Sequence, residues 1–100
     1  MNPINGIELF TRINAGESLN LIDVREQIEY HTYNIGGKNI PLSTLNESID
    51  QINCNKNDEI IVICKIGLRS ETACKILAEK GYVQVRNLTG GLMALQKLKR

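Results

Sequence analysis

The run Glu59-Ile-Ile-Val-Ile-Cys64 constrains this chain more than any other segment. Four consecutive aliphatic residues cannot alternate between a core and solvent. As a strand, such a run buries both faces, which fits a central parallel strand covered by helices on each side. The neighbouring segments can supply that cover. Asn5 or Gly6 opens a helix with Ile7, Phe10 and Ile13 at intervals of three and Leu9 and Ala15 nearby; one face is apolar and Gly16 is the stop. Leu19–Val24 reads as a strand, Glu26–His31 as a short helical turn and Asn34-Ile-Gly-Gly37 as a loop. Asn39–Pro41 reads as a brief extended piece, with Pro41 suited to the first position of a helix. Leu42, Leu45, Ile49 and Ile52 recur at threes and fours, which predicts a second amphipathic helix before a polar loop over 53–58. Beyond the aliphatic strand, Arg69–Lys80 reads as helix, with Ala73, Ile76 and Leu77 on one face and Gly81 as its stop. Tyr82–Leu88 reads as a last strand, Thr89–Gly91 as a turn, and Leu92, Leu95 and Leu98 as a final helix.

Strands alternating with helices predict an α/β fold with a mostly parallel sheet. One hundred residues are expected to form a single domain, residues 1–100. Lys and Arg number 12 against 11 Asp and Glu, a formal net charge of +1. That balance offers no whole-molecule attraction to nucleic acid or to an acidic membrane, so neither is expected as a partner. Apolar runs such as Ile60–Cys64 are too short to span a bilayer. Met1–Gly16 lacks a basic region followed by a long apolar core, so it does not read as a secretory signal. The three cysteines, Cys54, Cys64 and Cys74, form no CxxC pair, and His31 is the single histidine. An odd count cannot complete a disulfide framework, and a zinc site needs four close ligands. Reduced thiols, a cytoplasmic location and no metal are therefore expected. Neither GxxxxGK[ST] nor GxGxxG occurs, and no cofactor is expected. Lys97, Lys99 and Arg100 suit the negative end of a helix dipole better than a nucleic-acid patch. Cys74 reads as helix packing, Cys54 as an exposed, oxidisable loop thiol and His31 as a surface residue.

In open parallel sheets, chemistry collects at the carboxyl ends of the strands. Two places qualify, after Val24 and after Ile63, and the second carries Cys64-Lys65-Ile66-Gly67-Leu68-Arg69-Ser70. A cysteine between a buried strand and a helix start faces N–H groups that have no intrahelical partner. If the loop curls over, those groups converge into an anion cradle that favours a thiolate. Lys65 and Arg69 add positive charge, Gly67 permits a tight backbone path, and Ser70 can donate a hydrogen bond or help cap the helix. No histidine is near in sequence, so the cradle itself must activate Cys64 as a nucleophile.

Over nearly its whole length the chain resembles a rhodanese-type sulfurtransferase domain. Four segments carry the resemblance, in the family's order: Asp23-Val-Arg-Glu26 followed by Glu29-Tyr30, Asn39-Ile-Pro-Leu42, Cys64-Lys-x-Gly-x-Arg-Ser70 and Gly90-Gly91. The resemblance implies a central sheet of about five strands flanked by helices on both faces. It implies that Cys64 accepts a sulfane sulfur from a small anionic donor, thiosulfate or a persulfide, and hands it from a persulfide to a protein or small-thiol acceptor. By position, Lys65, Ile66, Gly67, Leu68, Arg69 and Ser70 form the cradle, Lys65 and Arg69 attract the donor, and Asp23 and Arg25 organise the site. Three departures concern packing: Gln27 stands where many members have Pro, Tyr33-Asn-Ile-Gly-Gly37 replaces Gly-His-Ile-Pro-Gly, and Leu95 replaces an aromatic. The Asn-Ile-Gly-Gly stretch and Lys65 also resemble the rhodanese domains attached to adenylyltransferases of molybdopterin or thiamine synthesis.

Two other readings stay open. One is a non-catalytic rhodanese-like interaction or regulatory domain, against which the intact loop argues. The other is a cysteine phosphatase or arsenate reductase. Those enzymes place five residues between Cys and Arg, whereas Lys65, Ile66, Gly67 and Leu68 are the only ones here.

Overall fold

The computed structural model describes residues 2–98 and builds the chain around one parallel sheet. In chain order the elements are α1 (Gly6–Asn14), β1 (Leu21–Asp23), α2 (Gln27–Thr32), β2 (Lys38–Asn39), a 3₁₀ segment (Leu42–Gln51), β3 (Glu59–Ile63), α3 (Leu68–Glu79), β4 (Gln84–Asn87) and α4 (Gly91–Leu98). The sheet order is β2-β1-β3-β4, and every pairing is parallel. β3 is central, as its aliphatic run demands. Ile60, Val62 and Cys64 enter one core with Ala73, Cys74 and Leu77 of α3 and Leu45 of the 3₁₀ segment. Ile61 and Ile63 enter the opposite core with Leu9 of α1 and Leu92 and Leu95 of α4. Each fully buried aliphatic side chain contributes about 1.5–3 kcal/mol. The helices therefore cover both faces.

The sheet has four strands where about five were expected. The fifth partner shrinks to Ile4, which makes a single parallel bridge to Leu88. Pro3 before it has no N–H to donate, and the Asn5 carbonyl after it already accepts the Leu9 N–H of α1 at 3.1 Å, so the ladder ends at Ile4.

Two helical expectations change. The segment Leu42–Gln51 is 3₁₀ with a break at Ser48 (φ −116°, ψ 17°), not an α-helix, although Leu45 and the following Ile52 are buried as expected. Its first N–H, on Leu42, is tied to the Val24 carbonyl, and Thr44 N–H closes a tight turn onto Pro41 O. Pro41 itself sits just before the segment as its cap. In α1 the buried positions are Gly6 and Leu9, while Ile7 is 66% exposed. The reason is a close approach: a Cβ on Gly6 would lie 3.4 Å from Leu98 Cδ1 and 3.6 Å from Leu95 N, so α4 packs where α1 has no side chain. Lys97 lies in the last turn of α4, and Lys99 and Arg100 lie outside the described residues. Among the described residues, no helix is long and apolar enough to cross a membrane.

Candidate active site

Cys64 follows β3 directly and is 1% exposed. Its carbonyl accepts the Leu92 N–H at 2.9 Å and the Lys65 carbonyl accepts the Met93 N–H at 3.1 Å, so the first turn of α4 holds the loop from below. The backbone then turns through Gly67 at φ 101°, which is the N-cap of α3. An L side chain is strained at that angle, and a Cβ there would also crowd Gly90 N at 3.2 Å and Leu88 O at 3.3 Å. This turn aims the first N–H groups of α3 at the sulfur. Gly67 N–H donates to Cys64 Sγ at 3.0 Å and Ser70 N–H at 3.3 Å, with Ser70 Oγ 3.2 Å away. Ser70 thus faces the sulfur from inside the first turn, and Gly67 occupies the cap.

Burial by itself pushes the Cys64 thiol up. The Ser70 hydroxyl and the N–H groups of Ser70, Gly67 and Ile66 outweigh it, and the net direction is down from the ordinary cysteine value. The other thiols go the opposite way. Burial, helped by the nearby Cys64 and Glu71, pushes buried Cys74 up to about 12. Burial also raises Cys54, which is half-buried with Sγ 3.5 Å from Ile52 O, not freely exposed.

The remaining loop residues divide by environment. Lys65, Ile66 and Leu68 point to solvent, and among the described residues Lys65 makes no ion pair. Arg69 is gripped by Glu29 of α2, Nη1 to Oε1 at 2.7 Å and Nη2 to Oε2 at 3.0 Å. Its charge is therefore largely answered within the protein. Asp23 and Arg25 form a buried pair at the end of β1, with Nη2 to Oδ2 at 2.8 Å and Nε to Oδ1 at 3.0 Å. Arg25 also donates to the carbonyls of Tyr33 at 2.6 Å and Glu29 at 3.4 Å, which pins α2, an element with no buried residue of its own. An open cleft of about 340 Å³ lined by Arg25, Glu29, Lys65 and Met93, among others, joins the two strand ends.

Three contributors escape a reading of the loop alone. Glu29 belongs to a motif but its partner Arg69 lies forty residues on. Gly91 reads as a turn, yet it lies against the Lys65–Ile66 peptide. Asn87, the last residue of β4, hydrogen-bonds both Ser70 Oγ and the Gly67 carbonyl. Its position at the carboxyl end of a strand is the signal that could have found it. Among the described residues, no group of three His, Cys, Asp or Glu gathers as a metal site. The arrangement is a buried thiol at a strand end, met by several hydrogen-bond donors beside an open cleft.

Residues 8–98 match the family described as "Rhodanese-like domain". The chain is 38% identical over 92 residues to YrkF of Bacillus subtilis, covering 90% of this chain and 49% of YrkF. It thus spans about half the length of that relative. It is 41% identical over 81 residues to the thiosulfate sulfurtransferase PspE of Escherichia coli, covering 78% of this chain and 77% of PspE. Among solved structures, a rhodanese-like domain protein from Staphylococcus aureus superposes with a TM-score of 0.83 at 27% identity, covering 95% of this chain and 91% of that one.

Proposed function

The chain belongs to the rhodanese-like domain family, and from that premise we propose that it is a sulfurtransferase working through a Cys64 persulfide. The observation that carries this reading is the convergence of the Gly67 and Ser70 N–H groups and the Ser70 hydroxyl on one buried sulfur. The Cys64 thiolate attacks the outer sulfur of thiosulfate. A new S–S bond forms, the S–S bond of thiosulfate breaks, and sulfite leaves with the electron pair. The product is Cys64–S–S⁻, held by the same N–H groups. A thiolate or cyanide then attacks the outer sulfur and Cys64 thiolate departs, giving a persulfide or thiocyanate. The cradle needs no general base, because the nucleophile is stabilised as the anion.

Lys65 supplies the free positive charge at the mouth for an anionic donor. The cleft beside the loop is open, which favours an acceptor thiol on another protein or a small thiophile. Three unpaired cysteines fit a reducing, cytoplasmic setting. The deciding experiment is intact mass after incubation with thiosulfate. A gain of one sulfur atom is expected, and it is expected to vanish in Cys64→Ser with the circular dichroism spectrum unchanged. Sulfur uptake by the serine variant overturns the reading.

A further inference from the structure

Asn87 bridges two parts of the Cys64 cradle. Its Nδ2 donates to the Gly67 carbonyl at 3.2 Å, and its Oδ1 is hydrogen-bonded to Ser70 Oγ. A carbonyl oxygen only accepts, so the NH₂ group must face Gly67 and the amide oxygen must face Ser70. An amide oxygen has no proton to give. The Asn87–Ser70 bond therefore uses the one proton of the Ser70 hydroxyl. The same hydroxyl oxygen is 3.2 Å from Cys64 Sγ. With its proton on Asn87, Ser70 Oγ can only accept from the thiol, in the chain S–H to Oγ–H to Oδ1. A thiolate reverses that demand, because a sulfur anion wants a donor.

We propose that Asn87 is a positioning residue that competes with Cys64 for the Ser70 proton and so sets how readily the thiol ionises. Its importance to sulfur transfer rests on the function proposed above. On ionisation the thiol proton leaves to solvent. The Ser70 hydroxyl turns about its Cβ–Oγ bond, gives up Asn87 and donates to the sulfur. The Gly67 and Ser70 N–H groups already point there and stay in place. Asn87 Oδ1 is not stranded by this change. Asn87 also lines an open cleft of about 390 Å³ with Pro3, Glu71, Lys75 and Thr89, where water can replace the lost donor. Asn87 thus offsets part of the lowering that the N–H groups and a donating Ser70 hydroxyl bring to Cys64, and the donor count at Sγ rises by one only when the anion forms.

The test is the pH dependence of Cys64 alkylation by iodoacetamide, followed by mass spectrometry of the Cys64-bearing peptide. Asn87→Leu removes the competing acceptor without changing charge. Lys65, the Arg69–Glu29 pair, the Asp23–Arg25 pair, and Glu71, Cys74 and Lys75 on α3 are all retained. The alkylation midpoint is expected to fall by about half a unit to one unit, the worth of one redirected hydrogen bond. In a Ser70→Ala background the same substitution is expected to shift nothing. No fall with Ser70 present, or an equal fall in both backgrounds, overturns the proposal. If Asn87→Leu does not fold, Asn87→Asp serves. Its charge raises the midpoint, and the rise is expected to be larger with Ser70 present than in Ser70→Ala; equal rises overturn it. These titrations use no sulfur donor, so failure to take up sulfur from thiosulfate defeats the proposed function and leaves the midpoints readable.

Discussion

Gly91 lies against Lys65 backbone to backbone: a Cβ on Gly91 would sit 2.4 Å from both the carbonyl carbon and oxygen of Lys65 and 2.5 Å from Ile66 N. The contact lets α4 present the Leu92 and Met93 N–H groups to the carbonyls of Cys64 and Lys65. The double glycine is therefore part of the cradle's support, although it lies more than twenty residues away in sequence.

Gly91→Ala is expected to fail on two counts, at φ 63° and at the overlap with Lys65. A loss of at least about 2 kcal/mol in a denaturant melt is the expected outcome. The Cys64 alkylation midpoint should rise as well, because the loop is displaced from the sulfur. A variant of normal stability and normal alkylation profile contradicts the contact.

Arg69 and Glu29 make opposite predictions for donor use. Glu29→Gln releases the guanidinium, so the thiosulfate concentration for half-maximal rate should fall; Arg69→Ala should raise it. Shifts of about two- to fivefold are expected for one solvent-screened charge. Changes in the same direction would remove Arg69 from donor attraction.

The same pair makes an acid-side prediction. The Arg69 guanidinium holds the Glu29 carboxyl at about 2, below its ordinary 4.5, against the opposing effect of burial. The folded value is depressed, so the stabilisation is complete above the ordinary value and is lost as pH falls from there through about 2. A carboxyl-carbon NMR titration should place the Glu29 midpoint at the low end of that window. A midpoint at or above the ordinary value would falsify the pairing in solution.

At the opposite end of the sheet, Glu59 of β3 takes Arg12 Nη1 and Nη2 at 2.8 and 2.6 Å and Arg86 Nη1 at 3.1 Å. The network ties α1, β3 and β4 together. Glu59→Gln is expected to cost about 1 kcal/mol of stability, less at high salt, with Cys64 chemistry unchanged. An undiminished melting temperature at low salt would assign the network no role.

The cradle was legible because its parts are adjacent. A buried strand, a cysteine, a glycine and a helix start occupy consecutive residues, and local stereochemistry then turns the N–H groups toward the sulfur. The face of α1 was not legible. Apolar residues at Ile7 and Ile13 outweigh Gly6 in any pattern, yet an absent side chain at Gly6 lets α4 approach and leaves Ile7 in water. The 42–52 segment kept its apolar spacing, but its polar residues and its tie to Val24 favoured a 3₁₀ path that spacing does not report.

What the sequence determined by itself is the layered α/β plan and which cysteine stands at a strand–helix junction. Both follow from short-range rules: an aliphatic run must bury two faces, and a strand–glycine–helix junction must point free N–H groups inward. Tertiary structure decided the electrostatic state of the site. Only folding brings Glu29 onto Arg69, Gly91 beneath Lys65 and Asn87 onto Ser70. Hydrogen bonds and ion pairs act over a few ångströms whatever the sequence separation, so which charges stay free and where the Ser70 proton points are properties of the assembled sheet ends.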